Sequence, residues 1–229
     1  MPLNLDERQR FRTREEMVAD TLRDAILDGE LAPGEKLDQS DLADSLRVSR
    51  TPVRSALQML AKEGFVQVTP HRGAVVAQLS AEEVEELYFI RGVLEGAAAS
   101  LAASQLDDGH VDELKTLLEQ MAAADGRDQW MELNTRFHVT LYRIAAGPRL
   151  LSMIRRLQRL ARPYSREHVG TAEHREAAGR LHKRILEACV SGNPKLAETA
   201  TKRHLKAVAE DLVSQLERRR ESDDEDTSI

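Results

Sequence analysis

Residues 42–60 restrict the fold of this chain more than any other stretch. Leu42, Ala43 and Leu46 recur on one face of a short helix. Val53, Ala56, Leu57 and Leu60 do the same on the next, with Arg47-Val48 as the turn between them. Asp38 can cap the first helix, with Asp41 standing three residues on. Ser49 or Thr51 can cap the second, whose first turn tolerates Pro52, and Gly64 ends it. Upstream, residues 13–28 carry Val18, Leu22, Ala25 and Ile26 in a helical stripe, with Gly29 just past the end and a Leu31-Ala32-Pro33-Gly34 turn following. Downstream, Phe65-Val66-Gln67-Val68-Thr69 and Ala74-Val75-Val76-Ala77-Gln78 flank Pro70-His71-Arg72-Gly73, which predicts a hairpin. Residues 13–78 therefore predict three helices followed by a two-stranded wing.

With its apolar residues turned inward, the second helix of the pair shows Arg50, Thr51, Arg54 and Gln58 outward. A helix pair of this kind can present its second member to the major groove, where Arg pairs bidentately with guanine. The helix N-terminus adds backbone donors for phosphate. The plain alternative is a solvated helix pair whose arginines face only water. The hairpin that follows at once, and the Ser, Arg and Thr lining the helix start, favour DNA. Charge alone would not make the argument. The chain carries a net −6, and residues 36–72 hold six bases against four acids.

From Ser80 onward the pattern is helical. Ser80-Ala81-Glu82-Glu83 is a capping box that opens a helix to about residue 103. Breaks at Gly126, Gly147-Pro148, Gly170 and Gly192-Asn193-Pro194 separate further helices over about 107–124, 127–146, 148–166, 173–191 and 194–219. The expected fold class is mainly α: a winged helix-turn-helix and an all-α bundle of six or seven helices. The expected divisions are a flexible arm over 1–12, a DNA-binding domain over 13–79, a helical domain over 80–216, and a disordered acidic tail over 217–229. No apolar run approaches the roughly 20 residues of a membrane span, and the first residues are polar rather than signal-like. Cys189 is the single cysteine. These features predict a cytoplasmic protein with no membrane partner.

Three histidines fall on apolar helix faces. His138 lies one turn beyond Asn134; His182 shares a face with Ile185, Leu186 and Cys189; His204 shares one with Ala197, Ala200 and Val208. One such histidine is more often a satisfied core residue. Three on neighbouring helices, one paired with Asn, make a metal site an equal reading. His110, His168 and His174 read as surface residues, and Trp130, Met131 and Met153 as core. Arg91 and Arg162 are candidates for binding a carboxylate inside the bundle, against a purely structural pairing of Arg91 with Glu95.

The run Leu46-Arg47-Val48-Ser49-Arg50-Thr51-Pro52-Val53-Arg54-Ser55-Ala56-Leu57, then Lys62-Glu63-Gly64-Phe65-Val66 and Pro70-His71-Arg72-Gly73-Ala74-Val75-Val76, resembles the GntR family of bacterial regulators. The resemblance implies that Ser49, Arg50, Thr51 and Arg54 contact DNA and that His71 and Gly73 enter or flank the minor groove. It also implies a homodimer on a palindromic operator. The sequence departs from many members at Ser40, where a basic residue is common. Arg91-Gly92-Val93-Leu94-Glu95, Asn134-Thr135-Arg136-Phe137-His138, Ala145-Ala146-Gly147, His182-Lys183-Arg184-Ile185-Leu186 and Gly192-Asn193-Pro194 resemble the FadR-type C-terminal domain, FCD. This second resemblance implies a divalent metal, Zn²⁺ or else Ni²⁺ or Mn²⁺, on Asn134, His138, His182 and His204. Open metal positions would take a small organic acid effector. Asn134 stands where Asp is commoner, and a neutral amide oxygen is the weaker ligand.

The expected function is thus a DNA-binding transcription regulator whose operator affinity responds to a small carboxylate. The alternative is a metalloenzyme on a helical bundle with the winged helix as scaffold, but no His-Glu-x-x-His general-base motif is present. A third possibility is an adaptor that uses the winged helix for protein contacts.

Overall fold

The structure is a computed structural model that describes residues 13–69 and 73–226. Contacts divide it into two compact units, with the division after Gln78.

In the first unit, α1 (Arg14–Asp28) starts at a Thr13–Glu16 capping box and stops at Gly29, whose φ of 77° few other residues adopt. α2 (Gln39–Leu46) is capped by Asp38, which accepts from the amides of Ser40 and Asp41. The link to α3 (Arg50–Glu63) turns at Arg47, which alone among the described non-glycine residues has a positive φ, 53°. Val18, Leu22 and Ile26 of α1 meet Val53, Ala56, Leu57 and Leu60 of α3 in the unit's apolar centre.

The wing has three strands rather than the two expected. β1 (Lys36–Leu37), β2 (Val66–Thr69) and β3 (Gly73–Val76) form an antiparallel sheet of order β1-β3-β2. β1 is too short to show any alternation in sequence. Only its partner, with Leu37 opposite Ala74, makes it a strand. Ala74 and Val76 turn into the core and fix the register of the hairpin, Val66 facing Val76 and Thr69 facing Gly73.

The second unit is all-helical among its described residues: α4 (Ala81–Ala103), α5 (Asp108–Ala122), α6 (Arg127–Arg143), α7 (Pro148–His168), α8 (Ala172–Val190) and α9 (Pro194–Asp226). The expected capping box is present at Ser80 and Glu83. α4 and α9 lie closely together because α4 presents glycine and alanine there. A Cβ at Gly96 would sit 3.3 Å from side-chain carbons of Glu198 and Lys202. The main core gathers Ala98, Ala99, Leu114, Phe137, Leu141, Tyr142 and Ile185.

α9 runs to Asp226, past the point where a disordered tail was expected to begin at 217. Residues 217–226 hold no Gly or Pro and are mostly Glu, Arg and Asp, so nothing in the chain breaks the helix there. Met153 is exposed, against the expectation of a core position.

Candidate functional site

α3 has two faces of opposite character. Val53, Ala56, Leu57 and Leu60 are buried, while Arg50, Thr51, Arg54 and Gln58 are exposed, as is Ser49 at the N-cap. The hydroxyl of Ser49 makes no capping hydrogen bond. α3, like α7 and α9 and unlike the other helices described, carries no acid in its first turn, and it begins with Arg50. A helix N-terminus is stabilised by negative charge. α3 thus forgoes an internal acid and leaves its amides and two arginines facing outward, an arrangement that suits phosphate and guanine. Its far end is held by a two-pronged ion pair: Arg23 donates from Nε to Glu63 Oε2 and from Nη2 to Oε1, each at 2.8 Å.

In the wing, Gly73 has φ 85° and open space around the position of a Cβ, so any side chain there would strain the backbone while meeting no neighbour. His71 lies outside the described residues.

The second constellation lies inside the helical unit. α6 supplies His138, α8 His182 and α9 His204, with exposures of 3%, 0% and 5%. One ring nitrogen from each falls within 4.8 Å of the others. His138 Nε2 and His182 Nε2 are 3.1 Å apart. Two ligand nitrogens at the usual metal distance of about 2.0–2.1 Å would be roughly 3.0–3.4 Å apart. Burial pushes all three imidazoles toward the neutral form. His182 falls to about 3, and His138 and His204 fall well below the usual histidine range, their mutual proximity adding to the effect of burial. Neutral imidazole is the form that ligates metal. Nδ1 of His182 and Nδ1 of His204 are buried without hydrogen-bond partners. Leaving such nitrogens unpartnered is costly. By spacing, protonation and burial, these residues fit a divalent ion.

His138 is braced from behind. Tyr142 meets His138 Nδ1 at 3.1 Å and also bonds Glu95. Glu95 is fully buried and accepts from Arg91 Nε at 2.7 Å and from Gln158 Nε2 at 3.0 Å. Burial works against charge on Arg91, but the Glu95 carboxylate outweighs it and keeps the guanidinium protonated. Arg91 also lies 4.5 Å over the ring of Tyr88. The structural pairing of Arg91 with Glu95 is therefore real, and Arg91 nonetheless lines a cavity of about 330 Å³ together with Asn134, His138, Arg155, Arg159 and Arg162. Asn134 is half-buried, one helical turn from His138.

Arg155 and Arg159 escaped the sequence reading. Their signal was present, because Arg155, Arg159 and Arg162 recur at i, i+4 and i+7 on α7. His168, expected at the surface, is buried, since the end of α7 folds in against α9, where it meets Asp211.

A winged helix-turn-helix and an all-helical domain on one chain form the architecture of a DNA-binding regulator. The chain belongs to the GntR family: residues 14–76 match the bacterial regulatory proteins of the gntR family, and residues 86–207 match the FCD domain. It is similar to an HTH-type transcriptional regulator in an unstable DNA locus of Streptomyces ambofaciens, 34% identical over 83% of this chain and 81% of that one. It is similar also to the HTH-type transcriptional repressor RspR of Escherichia coli, 32% identical over 83% of this chain and 85% of that one. Among solved structures, E. coli McbR/YncC superposes with a TM-score of 0.72 at 26% identity, covering 90% of this chain and 99% of that one. The protein is accordingly a DNA-binding transcription regulator and not an enzyme. No helix among the described residues is long and apolar enough to cross a membrane.

Proposed function

We propose that this regulator is of the FadR type and that its affinity for a palindromic operator is set by a small organic acid. In this reading the acid binds beside a divalent metal, Zn²⁺ in the first instance, with Ni²⁺ and Mn²⁺ as the other candidates. Ser49, Arg50, Thr51 and Arg54 read the DNA, and His71 and Gly73 of the wing reach the adjacent minor groove. His138, His182 and His204 hold the metal, with Asn134 as a fourth, weaker ligand. Arg91 and Arg162 receive the carboxylate.

The observation that carries this reading is the meeting of three buried, neutral imidazoles, one of which, His138, lines a cavity that four arginines also line. Cationic walls select anions, and the metal supplies the Lewis-acidic point on which a carboxylate can settle. The protein's own residues do the rest. Glu95 and Tyr142 hold Arg91 and His138 in place, and Arg162 closes one side of the chamber. Dimerisation follows from α4, whose Phe89, Ile90, Val93 and Leu101 are exposed apolar residues on a single helix. An acid changes operator affinity only if it binds the DNA-competent and DNA-incompetent states unequally.

The test is fluorescence polarisation with a labelled fragment of the gene's own upstream region, using metal-stripped and Zn²⁺-loaded protein against a panel of small carboxylates. At least one acid should shift the midpoint for the loaded protein and not for His182→Ala. If operator binding ignores every acid whether or not metal is present, the ligand-control reading is lost, while the regulator itself stands.

A further inference from the structure

A second set of ligating side chains sits where three helices meet, and it shares no residue with the three-histidine centre. His168 is the last residue of α7, His174 lies in the first turn of α8, and Asp211 lies on α9. His168 Nδ1 is 2.6 Å from Asp211 Oδ2, and His174 Nε2 is 3.7 Å from the same oxygen. The two imidazoles stack with centroids 5.1 Å apart. His168 is buried, whereas His174 and Asp211 are half-exposed. The close His168–Asp211 approach lacks the alignment of an N–H···O hydrogen bond, so that ring nitrogen is buried without such a partner. The turn joining α7 to α8 is held independently, since Arg175 donates to the carbonyls of Val169 and Gly170.

We propose that His168, His174 and Asp211 form a second site for a first-row divalent metal ion. Two imidazoles and one carboxylate within 4.8 Å of one another are the donor set of a facial triad. The half-exposed side leaves the remaining coordination positions to water. A cation there would bring the buried His168 nitrogen and the Asp211 oxygen onto one partner and draw His174 in by a few tenths of an ångström. It would tie the end of α7 to α8 and α9. Since α7 carries Arg155, Arg159 and Arg162, occupancy would stiffen the helix that forms one wall of the 330 Å³ cavity.

The experiment is a zinc count. Metal-stripped, untagged protein is titrated with Zn²⁺ by calorimetry, and the bound metal is measured by elemental mass spectrometry after gel filtration. Wild type should hold one more Zn²⁺ per chain than either His174→Ala or Asp211→Ala, and His182→Ala should keep that ion. Because His174 is half-exposed, its removal should leave helicity by circular dichroism unchanged, so the count does not depend on the fate of the Asp211 variant. Equal zinc counts in wild type and His174→Ala would overturn the proposal and leave a simple His–Asp contact. One ion in wild type and none in His174→Ala would uphold this site while removing the three-histidine one. One ion lost only with His182→Ala would do the reverse.

Discussion

At the scale of single residues, the exposed arginines of α3 separate binding from stability. Arg50 and Arg54 are exposed, so replacing either by Ala should leave thermal unfolding nearly unchanged. Loss of a bidentate base contact should cost about 1–3 kcal/mol, roughly 5- to 150-fold in operator affinity. Titration of the purified variants against the upstream fragment checks this. An arginine that contacts only phosphate would instead weaken all sequences alike and flatten the salt dependence by about one ion. Cys189 makes a second residue-scale case. Burial pushes its thiol up to about 12, which leaves almost no thiolate near neutral pH. It should resist Ellman's reagent in the folded protein and react at once in denaturant; rapid labelling of native protein would show that α8 opens readily. Residue type and period made the outward face of α3 and the three inward histidines legible in the sequence, because each lies on a helix with a clear apolar face. The brace behind His138 was harder to see. Glu95, Gln158 and Tyr142 come from three helices, and only tertiary packing joins them into one network.

At the scale of elements, local rules placed most boundaries. The capping box at Ser80, and the left-handed glycines at Gly29 and Gly64, stand where the sequence pattern puts them. The misses share a physical cause. β1 is two residues long and exists only because β3 pairs with it, and the end of α9 was read as a tail because charge was weighed above helix propensity. α3 shows how strongly a single element can be divided. Leu60 is fully buried against the first unit's core, while Gln58, two positions away, faces outward. Leu60→Ala should destabilise the first unit by about 2–5 kcal/mol through lost burial and a residual cavity. Gln58→Ala should stay within about 0.5 kcal/mol. Urea unfolding of the two variants measures the contrast. If they behaved alike, α3 would not be packed by the face described.

At the scale of the whole molecule, reading a palindrome requires two copies of α3 at a fixed spacing, about one helical turn of DNA apart or a multiple of it. One chain supplies a single recognition helix, so in the proposed palindromic reading the second would come from another copy. α4 offers the surface for it. Phe89 is 72% exposed, and Ile90, Val93 and Leu101 accompany it on the same helix. Phe89 and Val93 also border a groove of about 390 Å³ with Lys202, Lys206 and Glu85 at its edge, an apolar floor with a charged rim. Leaving such residues in water is unfavourable by about 25 cal/mol per Å², and a two-fold interface through α4 would remove that exposure on both copies at once. α4 also packs on α9 and carries Arg91 and Glu95, so the same helix would face the partner on one side and the arginine-lined chamber on the other. The double variant Phe89→Asp/Val93→Asp should therefore sediment as a monomer at concentrations where wild type is a dimer. It should lose cooperative binding to the full palindrome while keeping weak binding to a half-site. A variant with wild-type mass and wild-type operator affinity would place the interface on another face and cut the proposed link between the chamber and the spacing of the two recognition helices.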